Sequence, residues 1–151
     1  LDTSCNPYAD YTVHLNQFGI YIIKYSVKEE SIGRVRDYEY PMRVMDVEPP
    51  QATLKNTVVS GYVGSNIKIA ELSVTDNTSA AEQISVTVFI QFPSGKIFRL
   101  GDKDVGFVPD CTGKYRVIYY LSDEGNIYNS LNVPNVSMLD YYVIVTEKGG
   151  K

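Results

Sequence analysis

The chain contains no tryptophan, one histidine and two cysteines. Zinc needs clustered cysteines and histidines, which so few cannot supply. The lone histidine, His14, lies beside no distinctive serine or aspartate motif, so a hydrolase triad lacks a base in a recognisable setting. The GxSxG, phosphate-loop and dinucleotide glycine patterns are all missing. Basic residues are outnumbered, 14 Lys and Arg against 18 Asp and Glu, whereas a nucleic-acid groove would need a clustered basic face. No apolar run approaches the length of a membrane span. No long stretch has helical periodicity. The expectation is therefore a protein that is not an enzyme, has no catalytic or cofactor-binding residues, binds no nucleic acid and inserts into no membrane.

Tyrosine is what the chain has in plenty, with 13 copies. An apolar ring with a hydroxyl that needs a partner suits sheet faces with one wet edge. Hydrophobic residues make 44% and charged residues 21%, a balance that favours a packed fold over disorder. At 151 residues there is room for one ordinary domain, or one and a half small ones.

The tyrosines recur in a pattern. "GIYIIKYSV" from Gly19 returns as "GKYRVIYYL" from Gly113, a shift of 94 (113 − 19). Tyr21 then meets Tyr115, Ile23 meets Val117, Tyr25 meets Tyr119 and Val27 meets Leu121. Alternate positions share one face of a strand. The following strand also recurs, "MRVMDV" (Met42 to Val47) against "YYVIVT" (Tyr141 to Thr146), with a shift of 99 (141 − 42). Such a period is too long for a solenoid and matches a small β-sandwich domain.

The second unit, 49–148, reads as whole, with 149–151 as a tail. It follows the stiff Pro49-Pro50 join and alternates short strands with turn signals. "SNIKIAELSVTD" is expected to be one strand with a bulge, because Ile67 and Ile69 are out of phase with Leu72 and Val74. In "QISVTVFIQF", Ile84, Val86, Val88 and Ile90 should point inward. The first unit, 1–48, supplies only the last strands of a similar domain. It would leave Tyr21, Ile23, Tyr25 and Val27 uncovered, which is costly. The expectation is a piece cut from an array of tandem domains, consistent with its start at "LDTSC" rather than at a methionine; cover from another copy or a partner is the alternative.

Few residues suggest chemistry. Asp46, Glu48, Asp76 and Asp123 end strands, and carboxylates gathered at a seam between units could share a Ca²⁺; ordinary turn residues are the alternative. "DKDVG" (Asp102 to Gly106) lacks the later ligands of a calcium loop and reads as a turn. Lys24 falls on an outward face, against an isopeptide crosslink. The segment Glu124 to Asp140 is long for a hairpin loop, and its Tyr128, Asn129, Asn132 and Asn135 are residue types that make adaptable contacts. Cys5 and Cys111 occupy non-equivalent places in the two units, and two free thiols are expected, with one disulfide as the alternative.

The stretch "FVPDCTGKYRVIYYLSDEGN", the later "YYVIV" and the opening "EPP" resemble bacterial immunoglobulin-like modules of the hyalin-repeat and related types. The resemblance covers residues 48–147 well and 13–47 in part. It implies an all-β, immunoglobulin-like β-sandwich, one complete domain preceded by the C-terminal strands of an incomplete one. Asp110, Gly113 and Tyr115 look like a tyrosine corner, with Gly19 and Tyr21 as its counterpart. Without paired core cysteines or a core tryptophan, the likeness carries no antibody-type role. The function it implies is a non-catalytic extracellular spacer or adhesion element of a bacterial surface or phage virion protein. Its partners would be neighbouring domains of the parent chain and a protein or glycan ligand. The alternative is a carbohydrate-binding or accessory module of a larger secreted enzyme, with Tyr120, Tyr142 and Tyr128 as an aromatic platform.

Overall fold

A computed structural model of the chain describes residue 15 and residues 17–128 and 131–149. Apart from one short 3-10 turn at Ala81–Gln83, every regular element among the described residues is a β-strand. The chain divides into two compact units, Leu1–Met45 and Asp46–Lys151.

Among the described residues, the first unit contains one antiparallel hairpin. Strand β1 (Gly19–Glu29) pairs with β2 (Arg34–Val44), from Gly19 opposite Val44 to Glu29 opposite Arg34. Tyr25 stacks on Tyr38 across the ladder, with ring centroids 5.2 Å apart. Ile23, Tyr25 and Val27 are exposed and Tyr21 is half-buried. Exposed Lys24 pairs with Glu39 at 2.6 Å, so its ammonium is not buried beside an acid.

Among the described residues, the second unit has 11 strands. They are β3 (Gln51–Lys55), β4 (Ser60–Tyr62), β5 (Ile67–Lys68), β6 (Glu71–Thr75), β7 (Ser85–Gln91), β8 (Ile97–Arg99), β9 (Gly106–Phe107), β10 (Gly113–Ser122), β11 (Asn126–Tyr128), β12 (Leu131–Val133) and β13 (Val136–Thr146). Five form one sheet in the order β4-β13-β10-β7-β8. The pairs β3-β6, β5-β9 and β11-β12 stand apart from it. Every ladder is antiparallel except β4 with β13, which run parallel.

Alternation on β10 decides where the core sits. Tyr115, Val117, Tyr119 and Leu121 are buried, while Lys114 and Tyr120 on the opposite face are exposed. They meet Ile90 of β7 and Tyr141, Val143 and Val145 of β13. Ile67, Ala70 and Phe107 join the same cluster, and Ala52, Leu54, Leu72 and Val74 pack against it. The apolar faces of the β3-β6 and β5-β9 pairs thus close over the five-stranded sheet, as a sandwich requires.

Three details differ from the sequence reading. In the structure Gly19 lies opposite Val44 and Gly113 opposite Val145, so the second strands correspond with a shift of 101 (145 − 44), not 99. A two-residue slip leaves the same side chains on the same face, so alternation cannot detect it. The expected bulged strand is instead two strands, β5 and β6, which pair with different partners, β9 and β3. Finally, Val86 is 39% exposed although it shares its face with buried Ile90, because it lies at an open cleft beside Ile69, Leu72 and Val88.

The strand switch is held by two tyrosines. The Tyr119 hydroxyl donates to the Ala70 carbonyl at 2.7 Å, and the Ala70 N–H donates to the Tyr141 hydroxyl at 3.0 Å. Burial, the largest influence on each, raises the ionisation of Tyr115, Tyr119 and Tyr141 above the usual phenol range, Tyr115 to about 12. The folded state therefore holds these protons more tightly than the unfolded chain does. Their contribution to stability is complete below the ordinary phenol value and falls as pH rises above it. Each such hydroxyl should remove about 1.4 kcal/mol per pH unit within its window. Urea unfolding at successive pH values above 10 should show the loss, and Tyr119→Phe should flatten the slope.

Candidate functional site

Polar side chains converge at one pole of the second unit. Asp46 leads into the unit, Asp76 follows β6, Asp123 follows β10, and Asn135 immediately precedes β13. Each lies in a connection outside the strands. One carboxylate oxygen from each aspartate lies within 4.8 Å of the other two. Asp46 and Asp123 are buried, and Asp76 is half-buried.

Donors crowd round Asp46. Its Oδ1 accepts the Glu48 N–H at 3.0 Å and Asn77 Nδ2 at 3.1 Å, and its Oδ2 accepts the Thr78 hydroxyl at 2.6 Å. Asp76 Oδ1 accepts the N–H groups of Thr78 at 3.0 Å and Ser79 at 2.8 Å. The Thr78 hydroxyl also lies 3.0 Å from Asp76 Oδ1, so it stands between two carboxylates. Asp123 accepts the Asn135 N–H at 2.8 Å and Asn135 Nδ2 at 2.9 Å. Asn135 Nδ2 also reaches the Asp46 carbonyl at 3.3 Å.

Burial, the largest influence, pushes the Asp46 and Asp76 ionisations upward, but the hydrogen bonds together outweigh it. Both lie below the ordinary carboxylate value. The charge of Asp46 opposes ionisation of Asp76. Unit charges about 4–5 Å apart repel by roughly 3–4 kcal/mol at an effective dielectric near 20. Among the described residues, neither Asp76 nor Asp123 has a salt bridge.

Of the four calcium candidates, Asp46, Asp76 and Asp123 come together. Glu48 contributes only its N–H. The three belong to the second unit, of which Asp46 is the first residue. Sequence reading overlooked Thr78, although a hydroxyl two residues after an aspartate is a recognisable turn signal.

The expected long loop contains a small hairpin, because β10 and β13 stay paired as far as Ser122 opposite Val136, and β11 and β12 fill the interval. Tyr128 falls on β11 and Asn132 on β12; their side chains, and Asn129, lie outside the described residues. Asn135 is committed to Asp123 and Asp46.

A tyrosine hydroxyl bonds the backbone carbonyl four residues upstream in both units. In the second, the Tyr115 hydroxyl donates to the Cys111 carbonyl at 3.0 Å and lies 3.2 Å from Asp110 Oδ1. In the first, the Tyr21 hydroxyl donates to the Gln17 carbonyl at 2.8 Å, again four residues back. Cys111 is an exposed free thiol, and Cys5 lies outside the described residues.

On the outer face of the five-stranded sheet, Tyr120 and Tyr142 do not adjoin. Lys114 Nζ covers the Tyr142 ring at 3.7 Å from its centroid. Tyr142 lies opposite Arg116 and Tyr120 opposite Met138, which separates the two rings by about 13 Å along the strands. Arg116 and Asp140 stand between them, bonded through Nε at 2.8 Å and Nη2 at 3.0 Å. In "DKDVG", Asp102 bonds Arg99 at 2.8 Å and Asp104 Oδ2 accepts the Gly101 N–H at 3.0 Å, as in a turn.

No protein-family model matches the chain, and no curated protein matches it either. Among the described residues, no helix is long and apolar enough to cross a membrane.

Proposed function

We propose that this chain is part of a non-catalytic, load-bearing tandem array of immunoglobulin-like sandwiches. It would serve as an extracellular spacer or adhesion element of a bacterial surface or phage virion protein. Its partners are then neighbouring domains of the same parent chain, and loops at the domain ends present any protein or glycan contact.

The observation that carries this reading is the parallel pairing of β4 with β13. Ser60 lies opposite Ile144 and Tyr62 opposite Thr146. The Ile144 N–H donates to the Val59 carbonyl at 2.9 Å, and the Val63 N–H to the Thr146 carbonyl at 3.0 Å. One strand lies near the start of the unit and the other near its end. Tension applied through the ends pulls parallel neighbours in opposite directions along their length. The ladder bonds are then sheared together rather than opened one by one. The repeated hairpin adds to the argument, since β1-β2 carries the same glycine, the same tyrosine hydroxyl bond and a ladder like that of β10-β13.

Pulling the whole chain from its two ends tests the proposal. The antiparallel β1-β2 hairpin should unzip at low force. The second unit should then yield in one high-force step, with a contour gain of roughly 300 Å. Gradual yielding of the second unit at low force would reject a load-bearing role.

A further inference from the structure

Three carboxylates share one pole, and their own hydrogen bonds leave one oxygen unserved. Asp46 is 7% exposed and Asp123 is 6% exposed. Asp76 Oδ2 is sealed from solvent and accepts no hydrogen bond, the one such side-chain atom among the described residues. Buried acceptors are almost always satisfied by a donor, a water or an ion. Here the atom belongs to a group whose neighbours are also carboxylates, so an electropositive occupant answers both the vacant acceptor and the repulsion.

We propose that Asp46, Asp76 and Asp123 form a Ca²⁺ site at the pole of the second unit. The donors are hard carboxylate oxygens with no sulfur or imidazole among them, which favours calcium over zinc or copper. Two oxygens on one ion can be no further apart than twice the metal–oxygen distance, about 4.8 Å for calcium at about 2.4 Å. The three oxygens meet that limit. Magnesium demands a tighter octahedron and keeps its water, which three carboxylates on separate turns suit less well. The Asp46 carbonyl and the Thr78 hydroxyl lie beside the cluster as further oxygen donors. Occupancy ties together the segment leading into the unit, the β6-β7 connection and the β10-β11 connection. The calcium site stands without the spacer reading, so the two can fail separately.

Calorimetric titration of the chelator-treated full chain with CaCl₂, then with MgCl₂, tests the site, together with melting in calcium and in EDTA. Binding of about one calcium per chain is expected. At calcium about 100-fold above its dissociation constant, the melting temperature should rise by roughly 10 °C. Asp76→Asn keeps an acceptor for Thr78 and Ser79 and should weaken calcium binding at least about tenfold. Its melting temperature in EDTA should fall slightly, because the hydrogen bonds at Asp76 favour its charge in the fold, but the rise with calcium should shrink. Asp123→Asn is the second variant and should weaken calcium binding too. Absence of both heat and melting shift in the parent protein overturns the site. So does calcium binding unchanged in both variants, or a response to magnesium as strong as that to calcium.

Discussion

Replacing Tyr119 with alanine should destabilise the second unit by about 4 kcal/mol, the largest loss expected from any single side chain here. The ring is 1% exposed and lies at the centre of the core cluster. It stacks near Tyr141, with centroids 6.3 Å apart. Its hydroxyl also caps the Ala70 carbonyl across the two layers. Tyr119→Phe separates the two contributions. It keeps the ring and strands the carbonyl, and should cost about 1–3 kcal/mol. Tyr141→Phe should behave similarly, by stranding the Ala70 N–H. The double Phe variant tests the coupling, because both hydroxyls act on one residue. Urea unfolding followed by tyrosine fluorescence measures each value. A loss near zero for both Phe variants would mean that water replaces the hydroxyls, and the layers would then rest on ring packing alone.

Gly113→Ala should lower the stability of the same unit by about 2–4 kcal/mol, or its melting temperature by about 10–20 °C. Gly113 has φ +136°, a backbone region that favours glycine. A Cβ there would also meet the Pro93 ring, at 2.7 Å from Cγ and 2.9 Å from Cβ. Its counterpart Gly19 has φ +146° but nothing within 4 Å of the same position. Gly19→Ala should therefore carry backbone strain without a clash and leave the transition of the second unit unchanged. Thermal unfolding of both variants in parallel checks this. Equal losses would mean that strain, not the Pro93 contact, sets the cost.

The paired hairpins were legible because alternation and the Gly-x-Tyr spacing are local properties. The face of β10 was read correctly for Tyr115, Val117, Tyr119 and Leu121. Other features were hidden from a local reading. Ala70 breaks a strand because its backbone groups bond Tyr119 and Tyr141, 49 and 71 residues away in sequence. Asn135 looked like a contact residue in a long loop, but its amide bonds Asp46, 89 positions distant. The aspartates looked like residues of separate connections; only strand order brings the three to one pole.

Taken alone, the chain of residues determined the β-rich character and the inward and outward faces of its main strands, because each depends on periodicity between near neighbours. Tertiary structure alone decided the ladder register, the switch from β5 to β6, the parallel β4-β13 pair and the meeting of Asp46, Asp76 and Asp123. Those depend on contacts between residues far apart in sequence, where many arrangements share one alternating pattern and only packing of the whole core selects among them.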